Sequence, residues 1–168
     1  ASLAQVLYVD ARYEEAIAAA NRAIGLDRKR NEAWEYRMRA QLVLGRLEEA
    51  VLTMLAERYK QHADVVGMAV AEGGGKAGLA KLLELTGGWP ERSEISWRRA
   101  AWFAALHEDD AALDALDDAV AQRNINLTFT AVDPLYARLR SQPRFQALMG
   151  EMGFELPLVS NAARLGGR

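Results

Sequence analysis

With 168 residues, 51% of them apolar and 26% charged, the chain is long enough to bury a sizeable core, and its composition excludes wholesale disorder and the fibrous classes. Lys and Arg number 21 against 23 Asp and Glu, for a formal charge of -2, so the positive field that phosphate-backbone binding needs is missing and no direct nucleic-acid contact is expected. The absence of cysteine rules out disulfides, thiolate metal sites and cysteine nucleophiles, and no apolar run approaches the ~18 residues of a membrane span.

The chain opens on Ala1 rather than Met, with a helical pattern at once. Leu3, Ala4 and Leu7 make residues 2–9 read as the latter part of a helix that begins upstream, hence as a piece of a longer protein or a processed one. Residues 12–26 complete that unit. In residues 31–60, Ala33, Trp34, Met38 and Ala40 to Val43 carry a first helix as far as Gly45, where a left-handed residue ends it at little steric cost, and residues 48–60 form a second. Residues 62–86 predict an irregular pair: a helix near Ala63 to Ala71, a turn at Gly73-Gly74-Gly75, and a short helix carrying Leu79, Leu82 and Leu83. Gly87-Gly88-Trp89-Pro90 breaks helicity, and Ser93 can cap the next helix, with Ile95, Trp97, Ala100, Ala101 and Phe103 to Leu106.

A helix follows over about residues 110–122, and Asn124 to Thr130 is expected to be extended loop. Asp133-Pro134 predicts a capped helix start with Pro in the first turn, and Pro143 marks another. Phe145, Leu148, Met149 and Met152 then fall at i, i+3, i+4 and i+7, a stripe expected to cover the open end of an array. Residues 155–168 have no periodicity and are expected to fray, so that residues 1–154 form a single domain and 155–168 a flexible tail.

The chain repeats itself. Arg12-Tyr13-Glu14-Glu15-Ala16-Ile17 recurs as Arg46-Leu47-Glu48-Glu49-Ala50-Val51, 34 residues on (50 − 16 = 34), and more weakly as Glu108-Asp109-Asp110-Ala111-Ala112-Leu113. Each copy reads as two helices, with Ala16 and Ala50 where the pair crosses, because a methyl group lets two backbones approach closely. These residues resemble the tetratricopeptide repeat: Trp34 fits the pattern's early Trp, Ala16, Ala50 and Ala112 its next signature, and Ala23 and Ala119 its last. Arg37-Met38 in place of Leu-Gly, Glu57 in place of the last Ala, and the missing inter-repeat Pro mark a degenerate array. The resemblance implies an all-α solenoid of antiparallel helix pairs with C-terminal capping helices.

Further on, Asp133-Pro134-Leu135 and Leu139-Arg140-Ser141-Gln142-Pro143-Arg144-Phe145-Gln146-Ala147-Leu148 resemble the closing segment of tetratricopeptide modules appended to bacterial signalling proteins. Those are winged-helix transcriptional activators of the invasion-gene regulator type and some adenylate cyclases. The resemblance covers about residues 2–154 and implies the C-terminal sensory or regulatory part of a larger bacterial protein. It implies a protein or peptide partner, or self-association, with the small-molecule sensor and the dimerisation spacer as alternatives. A cytoplasmic location is expected, or a periplasmic one if the parent protein has an upstream membrane span.

No catalytic motif is assembled: His62 and His107 fall in different units, and neither Gly-x-Ser-x-Gly nor His-Glu-x-x-His occurs, so no enzyme and no cofactor are expected. Gly73-Gly74-Gly75-Lys76 fails as a phosphate loop, since Ala77 follows the Lys and a helix precedes it; a helix-helix turn is the better reading, with a ligand cleft near Gly73 to Gly75 and Trp89 as the alternative. His107-Glu108-Asp109-Asp110 with Asp114, Asp117 and Asp118 reads as a solvated acidic face, and Asp27-Arg28-Lys29-Arg30 as a solvated basic loop. Trp34 and Phe103 fall at packing positions. Trp97 falls one place past the packing Trp, towards the groove that the resemblance implies, in the company of Glu35 and Arg39. Glu35, Arg39 and Trp97 are therefore the candidate partner contacts, Trp97 either as an exposed anchor or wedged against the neighbouring hairpin.

Overall fold

A computed structural model describes residues 2–87, 89 and 93–154. The described chain is all-α, without a strand. Its helices are α1 (Leu3–Val9), α2 (Tyr13–Leu26), α3 (Asn31–Val43), α4 (Leu47–Glu57), α5 (Ala63–Gly87), α6 (Ser93–Ala105), α7 (Asp109–Ala121) and α8 (Pro143–Glu151). Short 3-10 turns lie between α4 and α5 and between α7 and α8. Each helix from α1 to α5 packs on the next in sequence, α5 meets α6, and α6 packs on α7. The C-terminal tail, Gly88, Pro90 and the capping side chain of Ser93 lie outside the described residues.

The repeat reappears as backbone geometry. Residues 10–12, 44–46 and 106–108 join α1 to α2, α3 to α4 and α6 to α7, with Ala11, Gly45 and His107 all left-handed at φ 60, 71 and 63°. The same hydrogen bond closes each turn: Arg12 N to Leu7 O at 2.9 Å, Arg46 N to Gln41 O at 2.9 Å, Glu108 N to Phe103 O at 3.0 Å. This is the pattern by which a helix end satisfies its orphan carbonyls. Acidic pairs then open α2, α4 and α7 (Glu14 and Glu15, Glu48 and Glu49, Asp109 and Asp110), where they favour the helix dipole. Ala16, Ala50 and Ala112 are completely buried.

The glycine turn is structural. α5 breaks at Gly73 and Gly74, the latter at φ 68°. A Cβ on Gly75 would collide with the backbone of Leu47 and Glu48 at the start of α4, so only glycine permits so close an approach.

Apolar side chains form three clusters. Ala16, Ala20, Trp34 and Tyr36 belong to one within α1–α3; Met38, Val51, Leu79 and Trp102 to a central one from α3 to α6; Leu113, Tyr136, Phe145 and Met149 to one around α6–α8. The Phe145, Leu148, Met149 stripe is buried in this last cluster, with Met152 packed at its edge. No helix among the described residues is long and apolar enough to cross a membrane.

Two local expectations are corrected. Residues 125–129 are a 3-10 turn rather than extended loop, because the Asn124 side chain caps it by accepting from Asn126 N at 2.8 Å while Leu127 is drawn into the core. Asp133 does cap, accepting from Leu135 N at 2.9 Å, but the turn it starts is 3-10 and ends at Tyr136.

Candidate functional site

The helical spacing of Glu35 and Arg39 puts both on one face of α3, one turn apart, where Arg39 Nε donates to Glu35 Oε1 at 2.8 Å. That face meets α6 and the turn at Pro134. Arg39 Nη1 donates to Asp133 Oδ2, and the hydroxyl of Tyr8 on α1 donates to Asp133 Oδ1. From α6, Arg98 Nη2 lies 2.9 Å from Glu35 Oε2, and the Trp97 ring is covered by the Arg39 guanidinium at 3.9 Å from its centroid. Arg98 Nη1 and Arg58 Nε approach Glu57 at 3.6 and 3.5 Å. Arg39, Arg58 and Arg98 are thus matched by Glu35, Glu57 and Asp133, and all but Arg58 are sequestered from water.

The two glutamates are held differently. Burial pushes the Glu35 carboxyl up, but the guanidinium groups of Arg98 and Arg39 outweigh it and leave it below the usual carboxylate range. At Glu57 burial prevails over Arg98 and Arg58, and the carboxyl is raised. Burial also pushes the Tyr36 phenol up to about 12. Arg39 is itself raised, because Asp133 and Glu35 more than offset the burial that opposes its charge. One permanently charged guanidinium therefore organises the cluster.

Beside it opens a cleft of about 460 Å³, lined by Glu32, Glu35 and Tyr36 of α3, by Trp97 and Arg98 of α6, and by Gln5, Arg58 and Phe129 around them. Its walls combine aromatic, charged and amide side chains, and the solvent side is marked by Phe129, 43% exposed. Side chains of this kind can orient a ligand by stacking and by directed hydrogen bonds.

Of the three residues singled out from sequence, Glu35 and Trp97 line the cleft while Arg39 lies behind it, against Trp97. Of the two alternatives for Trp97, the exposed anchor is excluded and the wedged ring is found. It is 8% exposed and Arg39 1%, because α6 and the Pro134 turn close over that face of α3. Substitution of Trp97 or Arg39 by Ala is therefore a change in the interior, not a neutral probe of a surface. Sequence reasoning missed Arg98, Glu57, Tyr8 and the second role of Asp133. Only Asp133 carried a signal, as a helix cap, and nothing local distinguishes a cap from an ion partner.

The remaining motifs are accounted for by neighbours. Arg138 pairs with Asp109, and Arg144 with Asp114 and Asp117. Arg28 and Arg37 flank the Trp34 ring at 5.9 and 5.8 Å. Gly73 and Gly75 border an open depression with Arg46, Glu48 and Lys76, whereas Trp89 packs on Tyr59 and His62 at 5.9 and 6.0 Å, so the glycine turn and Trp89 do not share a cleft. Among the described residues no group of three or more metal-type side chains is assembled. Compared with known protein families, with curated proteins and with solved structures, the chain finds no match.

Proposed function

We propose that the chain is a protein-interaction module of the tetratricopeptide-like kind, a regulatory part of a larger bacterial signalling or transcription-regulating protein, and that a segment of a partner protein enters the cleft between α3 and α6. The observation that carries this reading is the cleft itself, aromatic and charged and opening on the first helices of the hairpins rather than on their turns. The 34-residue spacing of the left-handed turns at Ala11 and Gly45 (45 − 11 = 34) supports the repeat reading. No turnover is part of the proposal.

Phe129 and Asn126 reach the cleft from outside the buried cluster, so they are the residues with which to test it. Peptides selected from a displayed random library should bind, and F129A with N126A should weaken them at least about 10-fold while the circular dichroism stays unchanged; a loss of that size corresponds to ~1.4 kcal/mol. A library that yields no binder, or binders indifferent to both substitutions, rejects the cleft as a partner site. The cleft volume favours a second reading, a small-molecule sensor, since it lies within the ~300 to 1,000 Å³ usual for such sites. Thermal shift across a metabolite panel, repeated on F129A, separates the two, because a ligand of the native state raises stability by mass action.

A further inference from the structure

Among the described residues, the apolar clusters of α1–α3 and of α6–α8 share no member; only the central cluster touches both. Where these first and last units face each other directly, on the side of α3 that carries the cleft, the joint is polar. It consists of Glu35 with Arg98, Arg39 with Asp133 and Trp97, and Tyr8 with Asp133. Asp133 is 94 residues from Arg39 and 125 from Tyr8, and it sits in the run of 3-10 turns between α7 and α8.

Each desolvated charge is tolerable only while its partner is in place, so losing one contact undermines the rest. Nor is the joint fully satisfied when closed. Among the described residues, Arg98 Nη1 faces Glu57 at 3.6 Å, beyond hydrogen-bond range, and the buried Thr130 Oγ1, three residues before Asp133, finds no protein hydrogen-bond partner. Two of the cleft walls, α3 and α6, are the elements this joint ties together.

We propose that the joint is a clasp. It holds α6 and the segment 124–142 against α1 and α3, sets the width of the cleft, and releases as a unit about the central apolar cluster, with Asp133 as the group on which release depends. The clasp regulates the cleft and rests on the reading above for its purpose, but the opening itself needs no ligand.

The chain has no cysteine, so N31C and N126C introduce two spin-label sites, both on residues that line the cleft. Pulsed electron paramagnetic resonance on this labelled pair should give one narrow distance. With D133N added, which keeps the side-chain shape and a capping oxygen but removes the charge, a second and longer distance should appear. The same narrow distribution in both would overturn the clasp. Should D133N lose its helical circular dichroism, hydrogen exchange on the unsubstituted chain decides: amides of 125–141 exchanging together and well before those of α3 and α4 support it, and equal or slower exchange refutes it. A peptide library that returns no binder would leave this result standing, since the distance is read without one.

Discussion

Arg39 combines three contacts that usually belong to different side chains: an ion pair one turn away on its own helix, an ion pair to a carboxylate far along the chain, and a cation over an indole. Its long stem lies in a fully buried position, so truncation removes packing as well as charge. Deleting one partner of a buried ion pair leaves the other charge desolvated, at a cost of ~3 to 5 kcal/mol. R39M should therefore lower the unfolding free energy read from urea melts by an amount in that range. R39M combined with D133N should recover part of the loss, because Glu35 keeps its Arg98 partner and the amide at 133 leaves no carboxylate stranded while retaining an oxygen for Tyr8 and Leu135 N. If the double variant is no more stable than the single one, packing rather than charge dominates the site. Asp133 has one oxygen serving both Leu135 N and the Tyr8 hydroxyl, and the other serving Arg39, so a residue written as a cap also ties three elements together.

Among the elements, α5 departs furthest from regular geometry, and its glycines explain why. The kink at Gly73 and Gly74 divides α5 into two helical stretches, and Gly75 then passes so close to the start of α4 that no side chain fits. G75A should cost at least about 1 to 3 kcal/mol, as overpacking against a backbone that cannot step aside, while G67A, where an added methyl group meets nothing within 4 Å, should be neutral or mildly stabilising. Thermal melts of both variants test this pair. Equal effects would mean that α5 and α4 are not in register as described. The turns at Ala11, Gly45 and His107 make the complementary point: three different residues adopt one left-handed conformation because the helix on either side demands it, and glycine occupies only one of the three.

Over the molecule as a whole, the ionic joint couples folding to pH. Glu35 has its folded pKa below the ordinary value of 4.5, so its contribution is present above pH 4.5 and is lost as pH falls through the lowered value. Glu57, raised by burial, has the opposite sign: its contribution is present below 4.5 and is lost as pH rises through the raised value, so it offsets part of the gain from Glu35 near neutrality. Urea midpoints taken from about pH 7 to about pH 3 should fall steeply in the acid limb, and E35Q should flatten that limb. An unaltered limb in E35Q would assign acid sensitivity to other carboxylates.

Helix order, the 34-residue spacing, the left-handed turn at Gly45, the glycine turn in α5 and the cap at Asp133 were all legible in the sequence. The turns and the cap depend on residues within about one or two helical turns of one another, the range over which periodicity, capping and backbone preference act, and the spacing follows from comparing such local patterns along the chain. Glu35 and Arg39 could be paired by their spacing for the same reason, and Trp97 could be suspected but not buried, since burial depends on what packs above it. The meeting of Arg39 with Asp133, Tyr8 and Trp97, and of Glu35 with Arg98, was decided only by the tertiary structure. Hydrophobic patterning records which face of a helix turns inward but not which distant helix that face will meet, and an ion pair spanning 94 residues leaves no periodic trace in either partner's neighbourhood.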